Sequence, residues 1–184
     1  MKTFFKHLIL LVLLLQLPTL YSCSSEVPKE LILFDFETDA ELDRIHWKCF
    51  TMFKLSEKYA THGKKSLKME LYPSDWPGWT PKIRNKDWRR YKHLCFDIFN
   101  PGDSNAEITI RIDDKEDYPE YKDRYNRRFV LKPGNNHFSI PLGSMMTSGT
   151  NRKINLKNIH QMLLFMGSPD GKFIFYIDYV RLER

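Results

Sequence analysis

The chain has 184 residues, enough for one domain with a proper core beside a leader and too few for two comfortable ones. Three cysteines and six histidines stand without the paired spacing of a zinc site, which sets a transition-metal centre aside. The formal charge of +6 comes from 29 basic residues scattered among 23 acidic ones with no clean Lys/Arg stripe, so it reads as solvated surface rather than a nucleic-acid footprint.

The N-terminus comes first in chain order. Lys2 and Lys6 flank the start of an apolar run from Leu8 to Leu20, and Tyr21, Ser22 and Cys23 follow. The run is too short and wrongly flanked for a membrane span and reads as a secretory leader over residues 1–22. Leu20, Ser22 and Cys23 resemble the bacterial lipoprotein cleavage pattern, Leu-x-small-Cys, although bulky Tyr21 departs from it in the middle position. The resemblance implies that Cys23 becomes the first residue and carries acyl chains. Several such chains anchor where one does not, since each buried CH₂ contributes roughly 0.8 kcal/mol. An ordinary cut near Ser22 is the alternative. Ser24 after Cys23 resembles lipoproteins released to the outer membrane, so the expected location is the bacterial cell envelope, lipid-anchored at the outer membrane. Export also removes nucleic acid from the expected partners; polyanionic glycans and lipid headgroups stay open.

Residues 23–30 form a short polar tether containing Pro28, and residues 31–184 one domain. Within it no helical period is sustained, whereas alternation with a period of two recurs. Ile32, Phe34 and Phe36 share one face against Leu33, Asp35 and Glu37. Leu94, Phe96 and Ile98 alternate with Cys95, Asp97 and Phe99, and Ile108, Ile110 and Ile112 with Thr109, Arg111 and Asp113. Turn signals at His62-Gly63, Asn100-Pro101-Gly102-Asp103, Pro133-Gly134-Asn135 and Pro169-Asp170-Gly171 cut the chain at short intervals. Short helical turns are expected only over Asp39–Ile45 and near Leu156–Ile159. About nine or ten strands in one domain predict an all-β fold, a two-sheet β-sandwich. Cys49 and Cys95 sit in apolar-rich strands; they either pair or remain two separate buried thiols.

Phe34-Asp35-Phe36-Glu37, then Gly63 to Met69, then Tyr176 to Leu182 bracket the domain. Asp87-Trp88, the run from Phe96 to Pro101, and Pro133-Gly134-Asn135 lie between. In this order the segments resemble the galactose-binding-like β-jelly-roll superfamily, home of many carbohydrate-binding modules, over residues 31 to 183. The resemblance implies a jelly roll whose first and last strands are neighbours, so that Asp35, Glu37 and Asp178 would converge on a structural Ca²⁺ ion, helped by backbone carbonyls of the Gly63–Ser66 turn. The alternative leaves Asp35 and Glu37 in solvent and Asp178 capping a turn.

A second constellation spans Arg111 to Asp114 and Arg124 to Phe129, with Arg111, Asp113, Tyr125 and Arg127 as its candidate ligand residues. Strand parity sets Arg111 and Asp113 opposite the isoleucines, and Tyr125 and Arg127 share parity on the next strand. Such groups suit a polysaccharide or oligosaccharide, held by hydrogen bonds and stacked on aromatic rings. A structural salt-bridge ladder is the competing reading. Trp76 and Trp79 flank Pro77-Gly78 on an expected surface loop and are the stacking candidates, unless one folds back over the core. Trp47 and Trp88 read as packing residues, and the acidic loop from Asp113 to Asp123 as either a wall of the site or solvated chain. No nucleophile elbow, His-based metal motif or phosphate-cradling loop occurs, and His160 reads as structural, so no enzyme is expected. The expected function is a non-catalytic carbohydrate-binding lipoprotein; a docking or assembly subunit of an envelope complex is the first alternative and a glycan-active enzyme the second.

Overall fold

The computed structural model describes residues 28–47 and 49–184, without the Trp47 side chain. The leader, Cys23 and most of the tether lie outside these residues, as does any packing of Trp47. Eleven strands are described: β1 (Glu30–Phe34), β2 (Ile45–Trp47), β3 (Thr51–Ser56), β4 (Ser66–Leu71), β5 (Gly78–Pro81), β6 (His93–Asn100), β7 (Ala106–Asp113), β8 (Tyr125–Leu131), β9 (Gly134–Pro141), β10 (Gln161–Phe165) and β11 (Phe173–Glu183). β1 opens on Glu30, the last residue of the expected tether, which pairs with Glu183 of β11.

Two antiparallel sheets form the sandwich. One runs β3-β4-β11-β6-β9, with β1 beside the C-terminal half of β11; the other runs β2-β5-β10-β7-β8. The first and last strands are therefore neighbours, and the fold is the expected all-β sandwich. The expected helical turns are a short 3-10 turn at Asp39–Arg44 and a single turn where Asn158 N–H meets the Asn155 carbonyl.

Alternation places the core. Leu94, Phe96 and Ile98 of β6 and Ile108, Ile110 and Ile112 of β7 are buried between the sheets. Each such side chain contributes about 1.5–3 kcal/mol by leaving water. β1 departs from simple alternation because its register shifts between Ile32 and Phe34. Leu33 and Phe34 are both buried as a result. Phe36 follows in the left-handed region at φ 56°, which turns its ring back against Phe34. Trp88 is buried and donates its indole N–H to the Asn85 carbonyl at 2.9 Å, as a packing residue should. Cys49 and Cys95 are separate free thiols, near Ser74 and Ser139 respectively.

Candidate functional site

The outer face of the five-stranded sheet carries a groove. Register decides its floor: Leu163 of β10 stands opposite Arg111 of β7, and Arg111 opposite Asn126 of β8. One row on, Phe165 faces Gly78 of β5 on one side and Thr109 of β7 on the other. These residues point away from the core because their neighbours Leu164 and Ile110 point into it. A Cβ on Gly78 would sit 2.3 Å from the Leu164 carbonyl oxygen and 2.6 Å from the Phe165 Cβ, so only glycine lets β5 lie this close to β10.

Trp76 and Tyr121 rise from the floor as exposed rings, and both line the groove. Trp76 stands edge-on to Phe165, with ring centroids 5.6 Å apart and planes at 87°. Its loop is held by Met166 N–H on the Pro77 carbonyl and Ser168 N–H on the Asp75 carbonyl, each at 3.0 Å. Thr80, Arg111, Arg124 and Asn126 add the polar lining of a cavity of about 170 Å³. A second, wider depression of about 650 Å³ adjoins it at Thr80, bordered by His46, Lys82, Glu116, Tyr118, His160 and Gln161 among others.

The loop between β7 and β8 forms the wall that carries Tyr121 and Arg124, which makes good one of the two sequence readings of that segment. Arg152 holds it. Its Nη1 and Nη2 donate to Asp114 Oδ2 and Oδ1 at 2.7 and 2.9 Å, and its Nε to Asp123 Oδ1 at 3.0 Å. Asp114 is buried and also accepts the Asn155 N–H at 2.6 Å. Hydrogen bonds from Lys115 and Arg152 hold the Asp123 carboxyl down at about 2. Ser148 N–H and Gly149 N–H donate to the Arg124 and Lys122 carbonyls, tying the same loop from its far side.

Of the sequence-derived ligand residues, Trp76 and Arg111 line the groove and four others do not serve as expected. Trp79 is 1% exposed and packs edge-on to Phe34 and Phe36, with centroids 5.1 and 5.7 Å away; it meets the groove from the core side only. It is the tryptophan that folded back. Tyr125 and Arg127 stand opposite Ile112 and Ile110, so they share the inward parity of the isoleucines, not that of Arg111. Tyr125 is buried, and burial raises its hydroxyl pKa. Arg127 escapes the core at the edge strand and lies over the Phe129 ring at 5.0 Å. Asp113 is fully buried and accepts two hydrogen bonds from Arg111, one from Nε at 2.9 Å and one from Nη2. It holds the guanidinium rather than facing a ligand.

Arg124 and Asn126 fall within the segment the sequence marked, but as neighbours of the expected Tyr125 and Arg127, and Tyr121 falls in the loop read as a possible wall; Phe165, Leu163 and Thr80 were not foreseen. The signal for Asn126 was the parity of Arg111, had the register of β7 on β8 been known.

The residues expected to bind calcium present the wrong donors to it. Asp178 is buried, its Oδ2 accepting Thr61 N–H at 2.6 Å and His62 N–H at 2.9 Å, and its Oδ1 accepting Tyr179 N–H at 2.7 Å. Glu37 Oε1 accepts Lys65 N–H and Lys64 N–H, both at 2.8 Å, which lowers its pKa. Lys65 Nζ donates to the Glu37 carbonyl at 3.3 Å, and Asp35 faces His62 at 3.8 Å. Ca²⁺ needs six to eight oxygens, whereas N–H dipoles and an ammonium converge here, so the set does not fit the ion. Among the described residues no group of three or more His, Cys, Asp or Glu side chains is placed to hold a metal. The carboxylates instead pin the 57–65 loop to the sheet.

No protein-family model matches the chain, and no curated protein does. Among solved structures it is similar to the family 11 carbohydrate-binding module from Clostridium thermocellum in complex with a β-1,3-1,4-mixed-linked tetrasaccharide. The TM-score is 0.62 at 18% identity, over 84% of this chain and 95% of the module. The domain has the β-jelly-roll fold of the carbohydrate-binding modules. A family 30 carbohydrate-binding module aligns with a TM-score of 0.53 at 13% identity, over 84% of this chain and 87% of that one. An exo-β-agarase aligns with a TM-score of 0.62 at 18% identity over 83% of this chain, which spans 24% of that enzyme's length. At these identities the likeness is one of fold.

Proposed function

We propose that this chain is a non-catalytic carbohydrate-binding lipoprotein that holds a glycan at the bacterial cell envelope. The observation that carries the reading is the groove itself: two exposed rings, Trp76 and Tyr121, stand with Arg111, Arg124 and Asn126 on the outer face of a carbohydrate-binding-module fold. Rings stack on the apolar C–H faces of a sugar while guanidinium and amide groups take its oxygens. The adjoining depression at Thr80 gives room for a chain of several sugar residues rather than a single ring. Glu116 is the one carboxylate among the described residues lining the two depressions. Glycoside hydrolysis in its usual form needs two, roughly 5 to 9 Å apart, which supports binding without cleavage. The leader pattern ending at Cys23 supports lipid anchoring at the outer membrane.

The test is a broad glycan array probed with the purified protein and with a Trp76→Ala variant. Selective binding to one saccharide class, lost in the variant, is the expected result. Silence across the array would reject the reading in favour of a protein-docking role, for which the exposed rings would be anchors.

A further inference from the structure

The polar lining of the groove is rich in donors and poor in acceptors. Arg111 spends Nε and Nη2 on Asp113, and no carboxylate oxygen of that pair is left facing outward because Asp113 is fully buried. Arg124 spends Nε on the Pro119 carbonyl. Among the described residues its two terminal nitrogens have no partner, and it makes no ion pair. The two guanidinium groups feel each other: burial first and then the Arg111 charge lower the Arg124 pKa, and the Asp113 carboxylate offsets them only in part. No carboxylate lines the groove, and the adjoining depression adds Lys82 and Lys115 against the single acid Glu116. Lys115 is paired with Asp123, whereas Lys82 has no acidic partner among the described residues.

A neutral sugar is recognised largely through hydroxyls that both donate and accept, and sites for it place acceptors beside donors. Here the acceptors are Asn126 Oδ1 and the hydroxyls of Thr80 and Tyr121, since Asn126 Nδ2 is committed to Ser148 Oγ at 3.1 Å. Two adjacent guanidinium groups that share one buried carboxylate, Asp113, keep an excess positive charge and instead complement a group that only accepts. Carboxylate and sulfate are such groups, and planar forks of N–H match both.

Building on the glycan reading above, we propose that the groove selects an anionic glycan, its carboxylate or sulfate ester received by the free terminal nitrogens of Arg124 beside Arg111. The loop clamp at Arg152 keeps Arg124 in place, and Trp76 and Tyr121 carry the rings on either side of the charged substituent.

The experiment is calorimetric titration of the purified protein with matched pairs: an oligogalacturonate and its methyl ester, and a sulfated galactan oligosaccharide and its desulfated form. At low salt the acidic member of one pair should bind at least about tenfold tighter, and that advantage should shrink as salt is raised. The pair that shows the effect tells carboxylate from sulfate. Arg124→Gln should bring the acid-to-neutral ratio toward one, with its melting temperature recorded to show that it folds. The salt titration of the unaltered protein tests the same point without a variant. Equal affinity for both members of each pair would overturn the anionic selectivity and leave the glycan reading standing. Binding of inorganic sulfate as tightly as the sulfated oligosaccharide would overturn it too, by reducing the site to an ion trap. No binding to any saccharide, charged or neutral, would sink both.

Discussion

Arg152 and Asp114, 38 residues apart, meet through two parallel hydrogen bonds, Nη1 to Oδ2 at 2.7 Å and Nη2 to Oδ1 at 2.9 Å. The fork joins the segment before β10 to the loop after β7, and the third bond from Nε to Asp123 reaches the turn that presents Tyr121. A groove wall on a long loop is thereby fixed by one side chain whose own partners are largely buried.

Arg152→Ala should therefore weaken both stability and binding. Loss of the guanidinium leaves the buried Asp114 carboxylate with one strong donor fewer on each oxygen, a cost of about 1–3 kcal/mol given that Arg152 is itself partly exposed. Denaturant unfolding gives the first quantity and limited proteolysis within residues 114–124 reports the loosened wall. Unchanged cleavage in that loop would show that the backbone bonds from Ser148 and Gly149 suffice.

The two tryptophans should separate cleanly. Trp76→Ala removes an exposed ring, so the melting temperature should move little while glycan affinity falls, on the order of 1 kcal/mol or more for a lost stacking platform. Trp79→Ala empties a site between Phe34 and Phe36 and should cost about 3–5 kcal/mol of stability. A Trp79→Ala protein that melts like the parent would contradict its place in the core.

Glu41, near the start of the fold, makes a contribution to stability that falls as pH rises, opposed in part by the Arg44 ion pair that favours its charged form. Burial, then the hydrogen bond with Asp35, push the Glu41 pKa up from 4.5 to about 7. A folded-state pKa above the unfolded one adds stability that is complete below pH 4.5 and is lost as pH rises through about 7. Glu41→Gln keeps a neutral side chain in place and should flatten that decline, leaving the variant relatively more stable at the alkaline end. Chemical denaturation at several pH values across that window measures it; parallel pH profiles for parent and variant would disprove the assignment.

Calcium should not matter to folding. With N–H groups already filling Asp178 and Glu37, addition of a chelator or of Ca²⁺ should leave the melting curve where it was. Asp178→Ala should nonetheless destabilise strongly, because the Thr61, His62 and Tyr179 N–H groups would lose their acceptor. A calcium-dependent rise in melting temperature that Asp178→Ala abolishes would restore the metal.

Much of the fold was legible in the chain itself. The alternation of Ile108, Ile110 and Ile112 against Arg111 has a period set by backbone geometry, and burial follows it on both sheets. Turn residues marked where strands end, and the order of the segments matched a β-jelly roll. The site was legible only in part, at Trp76 and Arg111 as single residues and at the strand residues 124–129 and the loop 113–123 as segments. Which residue stands across from Arg111 depends on how the long β7–β8 loop returns, and one position of register exchanges Arg127 for Asn126. Which of Trp76 and Trp79 is exposed depends on where β5 begins, and Asp113 could be recognised as sealed only once Arg111 was seen to close over it. Local sequence determines the face a side chain takes within its own strand. Contacts between strands are settled by loop closure and packing over the whole domain, and that is where the groove, its Arg124 and its Arg152 clamp were decided.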